Sequence, residues 1–88
     1  MTHTHECHPK IAARLKRANG HLAKVIAMIE QEKPCLDIAQ QLQAVESAVT
    51  NAKRALIHDH IDHCLVPGND YEGGQEMLAD LKSISRYL

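Results

Sequence analysis

Residues 58 to 64 read HDHIDHC, so three histidines, two aspartates and one cysteine fall within seven positions. Imidazole nitrogens and a thiolate are donors that suit zinc, nickel, cobalt and copper, and they suit magnesium or calcium poorly. On a helix, His60 and Cys64 stand at i and i+4 and project from one face, with His63 close by at i+3 from His60. The pair alone is a weak signal, because histidines near a helix end are ordinarily solvated polar residues. Cys35 strengthens it. That residue follows Pro34 at the start of a second helical stretch, where the positive end of the helix dipole favours an anionic ligand. A buried structural cysteine is the alternative there.

Cys35 and Cys64 lie 29 residues apart on what reads as one continuous helix, which separates them by about 43 Å. One chain therefore cannot bring both to the same ion. Two copies packed with this helix antiparallel can, and two-fold symmetry then creates the site twice. A fourth donor is available in the polar arm MTHTHECHP, residues 1–9, which carries His3, His5, Cys7 and His8. His3 lies beside the amine that Thr2 would present once Met1 is removed, and amine plus imidazole suits nickel or cobalt more than copper(I). His5, Cys7 and His8 read as spare or low-affinity ligands.

The elements that must position these donors are all helical. The chain has 88 residues, no Trp, no Phe and two Tyr. Its apolar residues are mainly Ala, Leu, Ile and Val, which favours helices packed through small and aliphatic ridges, completed by other copies of the chain. From about 10 to 31, Ile11, Leu15, Ala18, Leu22, Val25, Ile26 and Ile29 recur at helical spacing and run straight through Asn19-Gly20. QEKP breaks that pattern, and Pro34 suits the first position of a second helix over about 34–65. Its stripe comprises Leu36, Ile38, Ala39, Leu42, Val45, Ala48, Val49, Ala52, Ala55, Leu56 and Ile61. Such a helix is too long to bury its stripe against the first alone. VPGNDYEGG is a loop, and Met77, Leu78, Leu81, Ile84 and Leu88 mark a third helix over about 75–88. Residues 10–88 thus form one all-α domain behind the arm.

A formal net charge of -1 excludes a chain that binds nucleic acid by bulk charge. Local clustering is another matter. Arg14, Arg17, His21 and Lys24 fall within about an 80° arc of the first helix. Lys16 adds charge nearby, and Lys53 and Arg54 form a second pair on the long helix. Repeated in an oligomer, this stripe offers many phosphate contacts. Nothing in it resembles a helix-turn-helix recognition helix, so DNA would be read across a face, through phosphates and groove shape.

The stretches RLKRANGHL and CLDIAQQLQAVESAVTNAKRALIHDHIDHC, with the short tail, resemble the CsoR/RcnR family of small helical metal- and formaldehyde-responsive repressors. The resemblance covers nearly the whole chain. It implies a three-helix protomer, an antiparallel dimer and a disc-like tetramer that binds operator DNA when apo and leaves it on metal binding. The four ligand positions that sort the family read here His3, Cys35, His60 and Cys64. That set resembles the nickel/cobalt-responsive (NreA/DmeR-like) branch, with Ni(II) or Co(II) as effector. Pro34 stands where the family's copper sensors carry Tyr, which weakens the copper alternative, while Cys64 keeps Cu(I) or Zn(II) open. The formaldehyde branch uses the same Cys position with an N-terminal amine, but the additional His60-Cys64 pair favours a metal.

The expected protein is thus a cytoplasmic, metal-sensing repressor of an efflux gene, with operator double-stranded DNA as its partner. Three cysteines without an apolar leader suit a reducing compartment, and no stretch is apolar enough to span a membrane. A metal buffer or chaperone without a DNA role is the rival, and it leaves the basic stripe unexplained. An enzyme is disfavoured because no nucleophile, base and cleft converge.

Overall fold

The computed structural model describes residues 8–65 and 74–88. Those residues form three helices and no strand: α1 (His8–Glu30), α2 (Cys35–Leu65) and α3 (Gly74–Ser85). Helix α1 begins earlier than the sequence suggests. Pro9 does not close a non-helical arm but lies in the first turn, where a missing backbone N–H breaks no helical bond. Residues 1–7, which hold His3, His5 and Cys7, lie outside the described residues.

Gly20 is accommodated inside α1, which stays helical through Asn19-Gly20 as its apolar period requires. The helix closes by a specific device. Glu32 adopts φ 58°, its N–H bonds Ile29 O at 3.1 Å, and the Lys33 N–H bonds Met28 O at 3.0 Å. These are the two bonds of a Schellman motif, with Glu32 in the left-handed position that glycine usually takes. The chain then reverses. Pro34 O accepts from the Ile38 N–H at 3.1 Å, so Pro34 caps α2 and Cys35 is its first residue, one position later than the sequence suggests.

Helices α1 and α2 form an antiparallel hairpin. Ile11, Ala18 and Val25 are buried on α1, and Val45 and Ala52 are buried on α2, each set at seven-residue intervals. Ala18 and Ala52 are the small members of these two sets, 5% and 1% exposed. Ile57 is also buried although it lies off the expected stripe, about 140° round α2 from Ala52. It shares a face with His60, and that face carries α3. On α3, Met77, Asp80, Leu81 and Ile84 make one half-buried stripe at i, i+3, i+4 and i+7. The helix stops at Ser85 rather than at Leu88. Tyr87 N–H to Ile84 O (3.1 Å) and Leu88 N–H to Ser85 O (3.2 Å) form a tighter final turn.

The protomer is 56 Å long and has a thin core. Leu15, Leu22, Ile26 and Ile29 on α1 and Leu42, Val49 and Leu56 on α2 are all more than a third exposed. The last three repeat every seven residues along α2. An apolar seam of that length is uncommon on a protein that stays monomeric.

Candidate functional site

Helix α2 is unbroken over 31 residues, so the sequence donors stay apart within one chain. Cys35 is exposed at its first turn, where Asp37 complements the helix dipole. His60 comes 25 positions later, about 37 Å along the axis. His63 and Cys64 belong to the last turns of α2, and the backbone sets Cys64 one turn beyond His60. Their side chains, like Thr2 and the arm, lie outside the described residues. Among the described residues no three His, Cys, Asp or Glu side chains gather around one point.

His60 has a partner that the sequence reading missed. Its Nε2 meets the Oδ2 of Asp80 from α3. His60 is 25% exposed and Asp80 39%, so the contact is partly shielded from water. A signal for Asp80 was present in the sequence, since an acidic residue there interrupts the α3 apolar stripe three positions after Met77. Such a carboxylate orients an imidazole and raises its strength as a ligand. The donor chemistry of Cys35, His60 and Cys64 fits a borderline or soft transition metal.

The second feature is an open groove of about 480 Å3 between α1 and α2, lined by Arg14, Arg17, Ala18, His21, Ala48 and Asn51. Ala18 and Ala48 are its small apolar lining residues, and Arg14 and Arg17 its charged ones. His21 crosses to α2, where its Nε2 lies 2.6 Å from Gln41 Oε1. Helix α1 carries Lys10, Arg14, Lys16, Arg17 and Lys24 against a single acid, Glu30, a local charge of 5 − 1 = +4 in a chain of net -1. Lys24 continues the face one turn beyond His21, and Arg54 neighbours it at i+3 from Asn51. Lys16 and Lys53 are set apart, each about 160° round its helix from Arg14 and Asn51 respectively, and neither lines the groove. Asn51 and Gln41 are polar members that charge counting overlooked.

The sequence and the helical fold have matches among known proteins. Residues 7–86 fit the family described as "Metal-sensitive transcriptional repressor". The chain belongs to that family. The family is one of repressors, not enzymes. Among its relatives, the copper-sensing transcriptional repressor CsoR of Mycobacterium ulcerans is 43% identical over 51 residues, 58% of this chain and 44% of that protein. The copper-sensing repressor CsoR of Bacillus subtilis is 31% identical over 75 residues, 85% of this chain and 74% of that one. The chain therefore spans less than half the length of the mycobacterial relative. In structure it is similar to the nickel-responsive transcriptional regulator InrS, with a TM-score of 0.81, 29% identity and full coverage of both chains. No described helix is long and apolar enough to cross a membrane.

Proposed function

We propose that this member of the metal-sensitive repressor family binds operator DNA when metal-free and releases it on Ni(II) or Co(II), derepressing metal efflux. The observation that carries the reading is the unbroken α2, with Cys35 at one end and His60 at the other. Two protomers packed antiparallel along Leu42, Val49 and Leu56 bury that seam and bring Cys35 of one protomer to the partner's His60 and Cys64. Two such dimers then make the tetramer. Each site takes its thiolate donors from two chains, and His3 with the Thr2 amine completes the set from the arm. A bound ion supplies a cross-link between protomers. Asp80 holds the ring of His60 in place, and thereby couples α3 to the site.

Arg14, Arg17, Lys24 and Arg54 face the phosphates, and Lys16 and Lys53 reach them only through other parts of the assembly. Closure of the arm at the start of α1 shifts the helix that carries most of this charge. DNA affinity falls, and DNA weakens metal binding by the same factor. The reading places the protein in the cytoplasm with its DNA.

Copper(I) is the second reading. It is favoured by the names of the copper-sensing relatives, whereas the nickel-responsive structural relative supports the first. Zn(II) fits the same donors. The deciding experiment is fluorescence anisotropy of the reduced, metal-free protein on DNA from its own upstream promoter, titrated separately with nickel, cobalt, zinc and anaerobic copper(I). Release at stoichiometric nickel or cobalt is expected. Release by copper(I) alone moves the protein to the copper reading and makes His3 a bystander. No DNA binding at any metal level leaves a metal buffer as the function.

A further inference from the structure

We infer that Glu46 and Lys53 form two reciprocal ion pairs between copies of this chain, Lys53 of each copy meeting the partner's Glu46, and that these pairs fix the register of the antiparallel dimer. The inference rests on the two-chain reading above and names the residues that choose its alignment.

The apolar seam leaves that choice open. Leu42, Val49 and Leu56 recur every seven residues, so a slide by one repeat, about 10.5 Å, still sets aliphatic side chains against one another. Charged residues flanking a seam are what separate one register from the next. At 100° per residue, Glu46 and Lys53 lie about 60° and 40° round α2 from Val49. The buried Val45 and Ala52 lie about 40° and 60° the other way. Glu46 and Lys53 are thus on the flank away from α1, and both are exposed. Neither has a hydrogen bond or ion pair among the described residues. Arg54 lies about 100° round from Lys53 and Asp37 about 160°, so neither shares this flank.

A two-fold axis that crosses an antiparallel helix pair keeps this flank on the same side in both copies. Val49 is the centre of the seam, with Glu46 three positions before it and Lys53 four after. An axis beside Val49 therefore sets Lys53 level with the partner's Glu46 to within one residue's rise, about 1.5 Å. Cys35, fourteen positions before Val49, comes level with the partner's Cys64, fifteen after, in the same alignment. The neighbouring registers are penalised. A slide of one repeat in one direction sets Lys53 against the partner's Lys53, and in the other it sets Glu46 against the partner's Glu46. Pairing through this face leaves the basic groove open, since its lining residue Asn51 lies about 160° round α2 from Val49. Lys53, set apart from that groove, thereby has a place between protomers.

The test uses the full chain, reduced and treated with chelator so that no ion bridges the copies. Glu46→Lys and Lys53→Glu each set like charges against one another twice per dimer. Sedimentation of either variant alone should show self-association weakened roughly ten-fold or more. Mixed together, the two variants present an all-basic flank to an all-acidic one. Native mass spectrometry of this mixture, with one variant mass-tagged, should show almost only mixed dimers, whereas tagged and untagged wild type give about half. The double variant Glu46→Lys/Lys53→Glu restores opposite charges across the two-fold and should self-associate as the wild type does, which separates a lost contact from a lost fold. Single variants that associate like the wild type, a mixture with only the statistical share of mixed dimers, or a double variant that fails to recover each overturn the pairing, and they leave the metal-dependent repressor reading intact. A wild type that is monomeric at every concentration overturns the two-chain site and the pairing with it.

Discussion

Asp80 of α3 meets Nε2 of His60 of α2 and is a polar contact that ties the third helix to the C-terminal end of the long one. A carboxylate in that position fixes ring orientation and ligand strength together. Asp80→Asn is therefore expected to weaken nickel or cobalt binding about ten- to a hundred-fold, measured by competition with a chelator of known affinity. Unchanged affinity would mean that the contact serves only to dock α3.

Cys35 lies on the surface of the protomer, so its removal should leave the fold alone, within about 0.5 kcal/mol. Cys35→Ala and Cys64→Ala are each expected to abolish metal-driven release of DNA. Mixing tests the geometry directly. A dimer of one Cys35→Ala and one Cys64→Ala protomer has one site lacking both thiols and one site lacking neither. Coexpression of the two inactive variants should thus restore about a quarter of the sites, counted by metal stoichiometry. Sites built within single chains would restore none.

Leu42, Val49 and Leu56 form the exposed seam of α2. Val49→Glu places a charge at its centre, and sedimentation should show loss of assembly, with cooperative helix melting at a lower temperature. If the variant sediments as the wild type does, another face joins the protomers.

Two backbone positions should respond to simpler changes. A Cβ added at Gly20 meets nothing within 4 Å, so Gly20→Ala is expected to stabilise the protein by about 1 kcal/mol. Glu32 holds φ 58° without glycine's freedom, and Glu32→Gly should gain about 0.5–1 kcal/mol by removing left-handed strain. Urea unfolding at fixed protein concentration measures both. A loss of stability at Gly20 would reveal a close neighbour supplied by another protomer.

The helices were legible because each carries a clear apolar period, and the period of α1 outweighed the turn signal of Asn19-Gly20. Cys35, His60 and Cys64 stand out as candidate donors by type and spacing, and helix rise alone separates Cys35 from the other two. What stayed hidden depends on contacts between elements. Ile57 sits on a second face that becomes interior only once α3 is docked. Asp80 reads as surface charge until His60 is opposite it, and Gln41 as a polar filler until His21 reaches across. Glu32 was invisible for another reason, since tertiary reversal of the chain imposes a backbone angle that its residue type disfavours.

The length of α2 also sets a condition on when this chain can respond at all. With Cys35 and His60 about 37 Å apart on one rod, a lone protomer cannot bring the two to one ion. The proposed two-chain sites would require pairs, so at high dilution their number would follow the square of the chain's abundance. Dilution should therefore erase metal sensitivity in a protein whose helices are still intact, and a cell holding few copies would tune its metal threshold through how much of this chain it makes.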